Sequence, residues 1–320
     1  MPRILDPAQI ESFAQRTIPR IRLPDSATLF PRRAERLRNL SRNHAVGDYL
    51  RLMAAVSDVQ ESLLGTLSAR PDSMTHPLEQ RMARARSYGM PPLQASGWPR
   101  DSCWRTLFNE LCETVTALEG FPDGVRTASR RARQWQPAQL EQQADGLLAT
   151  GVDGIDAEAA PFVMAALQVY WVHMAASLNM DLARDLPVAQ GYAPNREVPG
   201  VCPVCGTLPV ASVVRADNHH EGYRYLHCAL CATEWHLVRV KCSHCLSTEG
   251  IAYQSIEGGS EAIRAECCGN CRTYRKILYQ EKDMGVEPVA DDLGSLALDL
   301  LMTEEGYHRA SGNPLLWQHS

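Results

Sequence analysis

The stretch CPVCG at 202–206 carries a Cys-x-x-Cys step that returns at CALC (228–231), CSHC (242–245) and CGNC (268–271). Eight of the eleven cysteines of the 320-residue chain sit in these four steps. Adding 40 to 202, 205, 228 and 231 gives 242, 245, 268 and 271, so the framework is an internal duplication. The same offset places Arg224 on Arg264, Thr233 on Thr273 and ASVVRA on IAYQSI. Two copies of one small fold are expected.

A Cys-x-x-Cys turn lets two sulfurs converge on one ion while the intervening amides offset their charge, and two such turns complete a tetrahedron. Cys202, Cys205, Cys228 and Cys231 form the first predicted metal site, and Cys242, Cys245, Cys268 and Cys271 the second. Soft thiolates select zinc or iron, and the residues leave both open, because rubredoxins and zinc ribbons use the same CPxCG knuckle. A four-thiolate cage has no open position for substrate or water, which disfavours hydrolytic chemistry. Crossed pairing of the second and third knuckles is the weaker alternative, since a repeat that inherits its own site is stabilised by its own metal. A thioredoxin-like dithiol needs one pair at a helix start in a βαβ setting, which is absent here.

Outward from the cysteines, LPVAQGYAPNREVPG (186–200) reads as a linker. Before it, residues 1–185 read as a helical domain, with apolar steps of three and four in HAVGDYLRLMAAVSDVQESLLGTL, DSCWRTLFNELCETVTAL, PAQLEQQADGLLAT and a helix over 158–185. In the first segment Leu50, Met53, Ala54, Val56, Leu63 and Leu64 mark the buried stripe, with Arg51, Asp58 and Glu61 outside it. After the linker come short β-type runs, ASVVRA (211–216) and IAYQSIE (251–257), in two modules at 201–241 and 242–282. The segment 283–320 returns to helix, with Val289, Leu293, Leu296, Leu300 and Leu301 on one face and Gly306 as its stop. The fold class is therefore multidomain: an N-terminal helical bundle, two tandem zinc-ribbon-like β modules and a C-terminal helix.

Charge and hydropathy narrow the function. The net charge of −5 gives no general pull toward nucleic acid or an anionic membrane. Residues 200–282 hold nine basic against eight acidic side chains, and two divalent ions with eight thiolates turn the module negative, the wrong sign for tracking phosphates. The longest uncharged run, FVMAALQVYWVHMAASLNM (162–180), contains Gln168, His173, Ser177 and Asn179 and reads as a buried central helix rather than a membrane span. The N-terminus MPRILDPAQIESFAQR places acids and prolines where an export signal needs an apolar run, so a cytoplasmic protein is expected.

Other chemistry-bearing residues have plainer readings. Cys267 is expected to point away from Cys268, and Cys103 and Cys112 to be small core positions. His219, His220 and Glu221 read as a solvated turn; His227, His236 and His244 are candidate donors to the thiolates. Trp235 is expected to cover the first site, Arg239 and Lys241 to offset its charge, and Asp291 and Asp292 to complement a helix dipole. No catalytic residue is read: there is no phosphate loop, nucleophile elbow or His-Glu-x-x-His motif.

At CPVCGTLPVASVV, YLHCALCATEWHLVRVKC, AECCGNCRTYRKILYQEKD and EPVADDLGSLALDLL, with EEGYHR and NPLL, the chain resembles the formate dehydrogenase accessory protein family over about 200–317. The resemblance implies a cytoplasmic, non-catalytic maturation factor that engages the catalytic subunit of a membrane-bound or periplasmic formate dehydrogenase. It also implies rubredoxin-like modules able to hold iron, with the family's knuckles falling on the eight cysteines assigned above. Two rivals remain at this point: a nucleic-acid-binding zinc-ribbon protein and a rubredoxin-type electron carrier.

Overall fold

A computed structural model describes residues 19–68, 80, 83, 87–88, 90–149, 154–178, 200–216 and 222–316. The N-terminal 1–18, nearly all of the 186–200 linker and the His219–His220–Glu221 turn lie outside the described residues. The helical layer comprises α1 (Leu29–Leu40), α2 (Gly47–Ser68), α3 (Cys103–Ala117), α4 (Asp123–Arg133), α5 (Pro137–Leu148) and α6 (Ala160–Ala176). Every residue of the α2 stripe named from the sequence is buried. The α4 helix escaped the apolar pattern because its buried face is only Ala128, Ser129 and Ala132; small side chains bring it against α3, where the Ser129 hydroxyl donates to the Cys112 carbonyl at 2.7 Å.

The α6 helix is the central one, buried nearly all round and packed on α2, α3 and α5. An apolar helix with no polar face belongs inside a core or a membrane. Among the described residues no helix is long and apolar enough to cross a membrane. Gln168 explains how a polar side chain survives in its middle: its Oε1 accepts from Gln60 Nε2 (3.0 Å) and from Arg33 (3.2 Å), and its Nε2 donates to the Ala229 carbonyl at 2.7 Å. That last bond reaches the second cysteine knuckle.

The remaining strands build one sheet, richer in strand than the short runs of the sequence suggest. They are β1 (Ile21–Arg22), β2 (Pro209–Val214), β3 (Arg224–Cys228), β4 (Glu234–His236), β5 (Ile251–Gln254), β6 (Ile263–Cys268), β7 (Thr273–Tyr279) and β8 (His308–Arg309). The order is β1-β4-β3-β2-β7-β6-β5, with β8 on β7. Each repeat supplies three antiparallel strands, and the two halves join where β2 runs parallel to β7 in the register Ser212 to Ile277. The copies therefore share a sheet. Across the seam the fully buried Arg224 donates to Glu266 (2.7 Å), to the Ser212 hydroxyl and to the Lys241 carbonyl. Its repeat counterpart Arg264 instead lies over the Tyr279 ring at 5.2 Å. The strand β1, from a region read as wholly helical, pairs Ile21 with Trp235 and caps the outer edge of the first repeat. On the opposite edge β5 is largely exposed.

The expected C-terminal helix is two helices, α7 (Pro288–Leu293) and α8 (Leu296–Glu304). A Cβ at Gly294 would sit 2.9 Å from Leu40 Cδ1, so the break lets α1 approach closely. The break also rotates the apolar face: Leu298 and Met302 are buried, whereas Leu300 and Leu301 are 68% and 43% exposed. Gly306, at φ +76°, ends α8 as expected, with Tyr307 N donating to the Met302 carbonyl and Gly306 N to that of Thr303. Asp291 and Asp292 do more than complement a dipole. Asp291 takes a two-pronged bond from Arg36, and Asp292 pairs with Arg309, Lys276 and Asn313.

Two predictions follow from the seam. Arg224→Met leaves Glu266 buried and uncompensated and is expected to cost about 3 kcal/mol in urea unfolding, with Glu266→Leu in the same chain restoring much of it. The second concerns His236, whose pKa is lowered to about 4 by burial and by the nearby Arg20 and Arg224 cations. The unfolded chain then binds the extra proton below pH 6.5, so the stability that the neutral ring contributes is lost as pH falls from about 6.5 to about 4, by at most about 3 kcal/mol. A thermal-melt series should show a shallower acid slope for His236→Gln than for the unchanged chain.

Candidate metal centres

In each repeat one knuckle precedes the first strand and the other joins the second strand to the third, so the β-hairpin folds the two pairs of thiols onto each other. The sulfurs of Cys202, Cys205, Cys228 and Cys231 all lie within 4.8 Å of one another, as do those of Cys242, Cys245, Cys268 and Cys271. The grouping is within each repeat, not between the second and third knuckles. In the first group Cys202 and Cys231 stand 3.6 Å apart and Cys205 and Cys228 3.3 Å. In the second, Cys242 and Cys271 stand at 3.8 Å and Cys245 and Cys268 at 3.7 Å. A tetrahedron of metal–sulfur bonds of roughly 2.3 Å has edges of about 3.8 Å, which the second group's two pairs match and the first group's Cys205–Cys228 pair would reach by opening from 3.3 Å. Each group could hold a metal ion.

The turns that carry the thiols repeat a backbone device. The residue after the second cysteine of each knuckle adopts a left-handed conformation: Gly206 (φ 77°), Ala232 (56°), Leu246 (63°) and Arg272 (56°). Only the first is a glycine. Non-glycine residues hold that conformation where the surroundings over-determine it. Here the turn is closed by Gly206 N on the Cys202 carbonyl (2.8 Å) and, in the other repeat, by Leu246 N on Cys242 (3.1 Å) and Arg272 N on Cys268 (2.9 Å).

Donors converge on the sulfurs. Leu230 N and Cys231 N point at Cys228 Sγ, and His244 N and Cys245 N at Cys242 Sγ, all at 3.3–3.4 Å. Threonine hydroxyls pair with the sulfurs as well: Thr207 lies 3.1 Å from both Cys205 and Cys228, Thr273 3.0 Å from Cys271, and Thr233 Oγ1 accepts from Cys231 Sγ at 3.2 Å. These hydroxyls were not singled out from the sequence, yet a signal exists: every knuckle has Thr or Ser two places after its second cysteine, at Thr207, Thr233, Ser247 and Thr273. They supply polar partners where imidazoles were expected. His227 Nδ1 meets Glu234 (3.1 Å), His236 Nδ1 accepts from Arg20 (3.3 Å), and the His244 ring is exposed.

The two groups differ in cover. In the first, Leu93 N donates to the Val204 carbonyl and Ala95 N to that of Cys205, both at 2.8 Å, and Trp171 Nε1 fixes Leu93 from α6. Gln168 holds the other knuckle, and Trp235 is fully buried in the core that contains all four thiols. The expectation of a cage sealed from water meets a difference in the second group, where Cys245 and Cys271 are partly exposed. The remaining thiols stand apart. Cys267 turns away to Met302 Sδ (3.5 Å) and is pushed up to about 11, chiefly by burial, while burial takes Cys112 to about 12; neither is a reactive thiolate. Arg239 is exposed, and among the described residues neither it nor Lys241 donates to a sulfur.

The left-handed turns give a direct test. Ala232→Gly removes a Cβ from a conformation costing about 1 kcal/mol and is expected to raise the melting temperature, whereas Gly206→Ala should lower it.

Family models match in three consecutive parts: FdhE, N-terminal, over residues 18–186; FdhE, central domain, over 201–239; and FdhE, C-terminal domain, over 240–316. The chain is 41% identical to "Protein FdhE" of Salmonella paratyphi A and 42% identical to "Protein FdhE homolog" of Cronobacter sakazakii, in each case across 98% of this chain and 97% of the relative. It is similar to the crystal structure of the FdhE protein from Pseudomonas aeruginosa, with a TM-score of 0.79 and 36% identity over 93% of this chain and 99% of that one. With helical, central and C-terminal parts all matched in order, the chain belongs to the FdhE family, the formate dehydrogenase accessory proteins.

Proposed function

We propose that this chain is a cytoplasmic maturation factor that binds the catalytic subunit of a respiratory formate dehydrogenase, is needed for its activity and performs no turnover of its own. The observation that carries the reading is the pair of four-sulfur groups within a chain that FdhE family models match over residues 18–186 and 201–316. In this reading Cys202, Cys205, Cys228 and Cys231 ligate one ion and Cys242, Cys245, Cys268 and Cys271 a second. Iron would add a one-electron couple in a rubredoxin-like cage, whereas zinc would be structural only. The protein's own residues do the rest: threonine hydroxyls and backbone amides offset thiolate charge, and the shared sheet fixes the two cages in one frame.

Deleting the gene from a host that makes a respiratory formate dehydrogenase should reduce formate-dependent dye reduction to background, and the tagged chain should co-purify with the catalytic subunit. Protein purified without oxygen should contain two ions per chain; iron would give thiolate-to-metal absorption that bleaches on reduction, and zinc a colourless protein. Normal dehydrogenase activity in the deletion strain, together with salt-dependent binding of oligonucleotides, would overturn the reading in favour of a nucleic-acid-binding ribbon.

A further inference from the structure

The cages have the same ligand spacing, the same left-handed turns and similar hydroxyl donors, so any difference in what they do must come from their surroundings. Those surroundings are unlike. The four thiols of the first group are 0–1% exposed and lie inside the main hydrophobic core. One of its knuckles is strapped by backbone hydrogen bonds from Leu93 and Ala95, and the other by Gln168 of the central helix. Thiols of the second group belong to no hydrophobic cluster, and the tips of both its knuckles, His244, Gly269 and Asn270, are exposed. Its two partly exposed cysteines, Cys245 and Cys271, are the second cysteine of each knuckle, and their repeat counterparts Cys205 and Cys231 are both 0% exposed.

We infer that the two sites divide their work: the first holds a permanent structural ion, and the second is an exchange site at which a soft sulfur ligand from outside reaches the metal on the Cys245–Cys271 side. The exchange is a ligand substitution. With an ion bound, an incoming thiol would replace one ligand sulfur and its proton would pass to the displaced Cys245 or Cys271 thiolate, with no change of oxidation state. The ligand class is a thiol, small or carried on a partner, because soft metal in a thiolate cage yields to ligands of the same softness. At the first site the same substitution would require opening the helical core, since any approach to Cys205 displaces the 91–95 strap.

The inference rests on the proposed metal reading but not on the partner, and the test separates them. The zinc-loaded full-length chain is mixed with excess pyridylazoresorcinol, with and without glutathione, and iodoacetamide is added in pulses so that released cysteines can be mapped by mass spectrometry. One zinc per chain should leave at least roughly tenfold faster than the other, faster still with glutathione, with Cys245 and Cys271 alkylated in that phase and the helical circular dichroism unchanged. Two ions leaving in a single phase, or a fast phase that alkylates Cys205 and Cys231, would overturn the division. A chain that binds no zinc would overturn the metal reading itself. As a second readout, Cys245→Ser with Cys271→Ser should keep one zinc and a cooperative melt, while Cys205→Ser with Cys231→Ser should lose the melt; equal losses in both would also sink the assignment.

Discussion

Four sulfur atoms gathered within 4.8 Å of one another, with backbone amides aimed at them, form an arrangement that could hold a metal ion. Buried thiolates repel one another, and burial, with the neighbouring thiols adding to it, pushes Cys202 and Cys231 well above the ordinary thiol range. A metal ion reverses that balance, and the non-glycine residues held left-handed at 232, 246 and 272 are a sign of how tightly the turns are specified. Much of the β half depends on this. Each repeat has three short strands, too little to bury a core of its own, and the four thiols that its hairpin brings together are the donor set that an ion would use to close so small a unit.

The stacking is not symmetric. Tandem duplication gives two copies with the same pair of free edges, one at the third strand and one at the first. Here the third strand of the second copy, β7, joins the first strand of the first copy, β2, which leaves one edge of each kind at the ends of the sheet. The end at β4 is closed by β1, a strand of two residues from before the first helix. The seam buries Val213 against Leu278 and adds a charge pair to that apolar contact: Arg224 and Glu266 come from different repeats and both are buried. Such a pair adds little net stability but penalises any register in which one partner is left alone. It specifies how the copies meet.

The cysteine groups were legible in the sequence because their spacing is covalent and repeats without insertion, and the apolar stripe of α2 because a 3.6-residue period survives in any surroundings. What could not be read depends on contacts distant in the chain. Nothing local distinguishes Ile21–Arg22 from a loop until Trp235 and Glu234 lie beside it. The α4 helix lacked a stripe because its partners demanded alanine and serine. The break at Gly294 is set by Leu40, some 250 positions earlier, so Leu300 and Leu301 looked like core and are surface. The threonines beside the sulfurs were visible as a period but carry no distinctive chemistry until the hairpins place them.

The helical half gives the two repeats unequal neighbourhoods. Its central helix has one polar side chain at the middle, Gln168, and that amide is occupied on all sides: Arg33 and Gln60 donate to its oxygen, and its nitrogen donates to the carbonyl of Ala229 between two ligand cysteines. Arg33 in turn bonds Glu287, the residue that caps α7. A single chain of hydrogen bonds thus runs from the first knuckle pair through the bundle to the C-terminal helices. A polar group buried this deeply is costly unless every partner is in place. The first repeat is therefore bound into the helical core through polar contacts as well as apolar ones. Among the described residues, the second repeat meets the rest of the chain at the seam and at the C-terminal helices, and its knuckle tips are exposed. Identical ligand sets acquire different access because the bundle covers one of them.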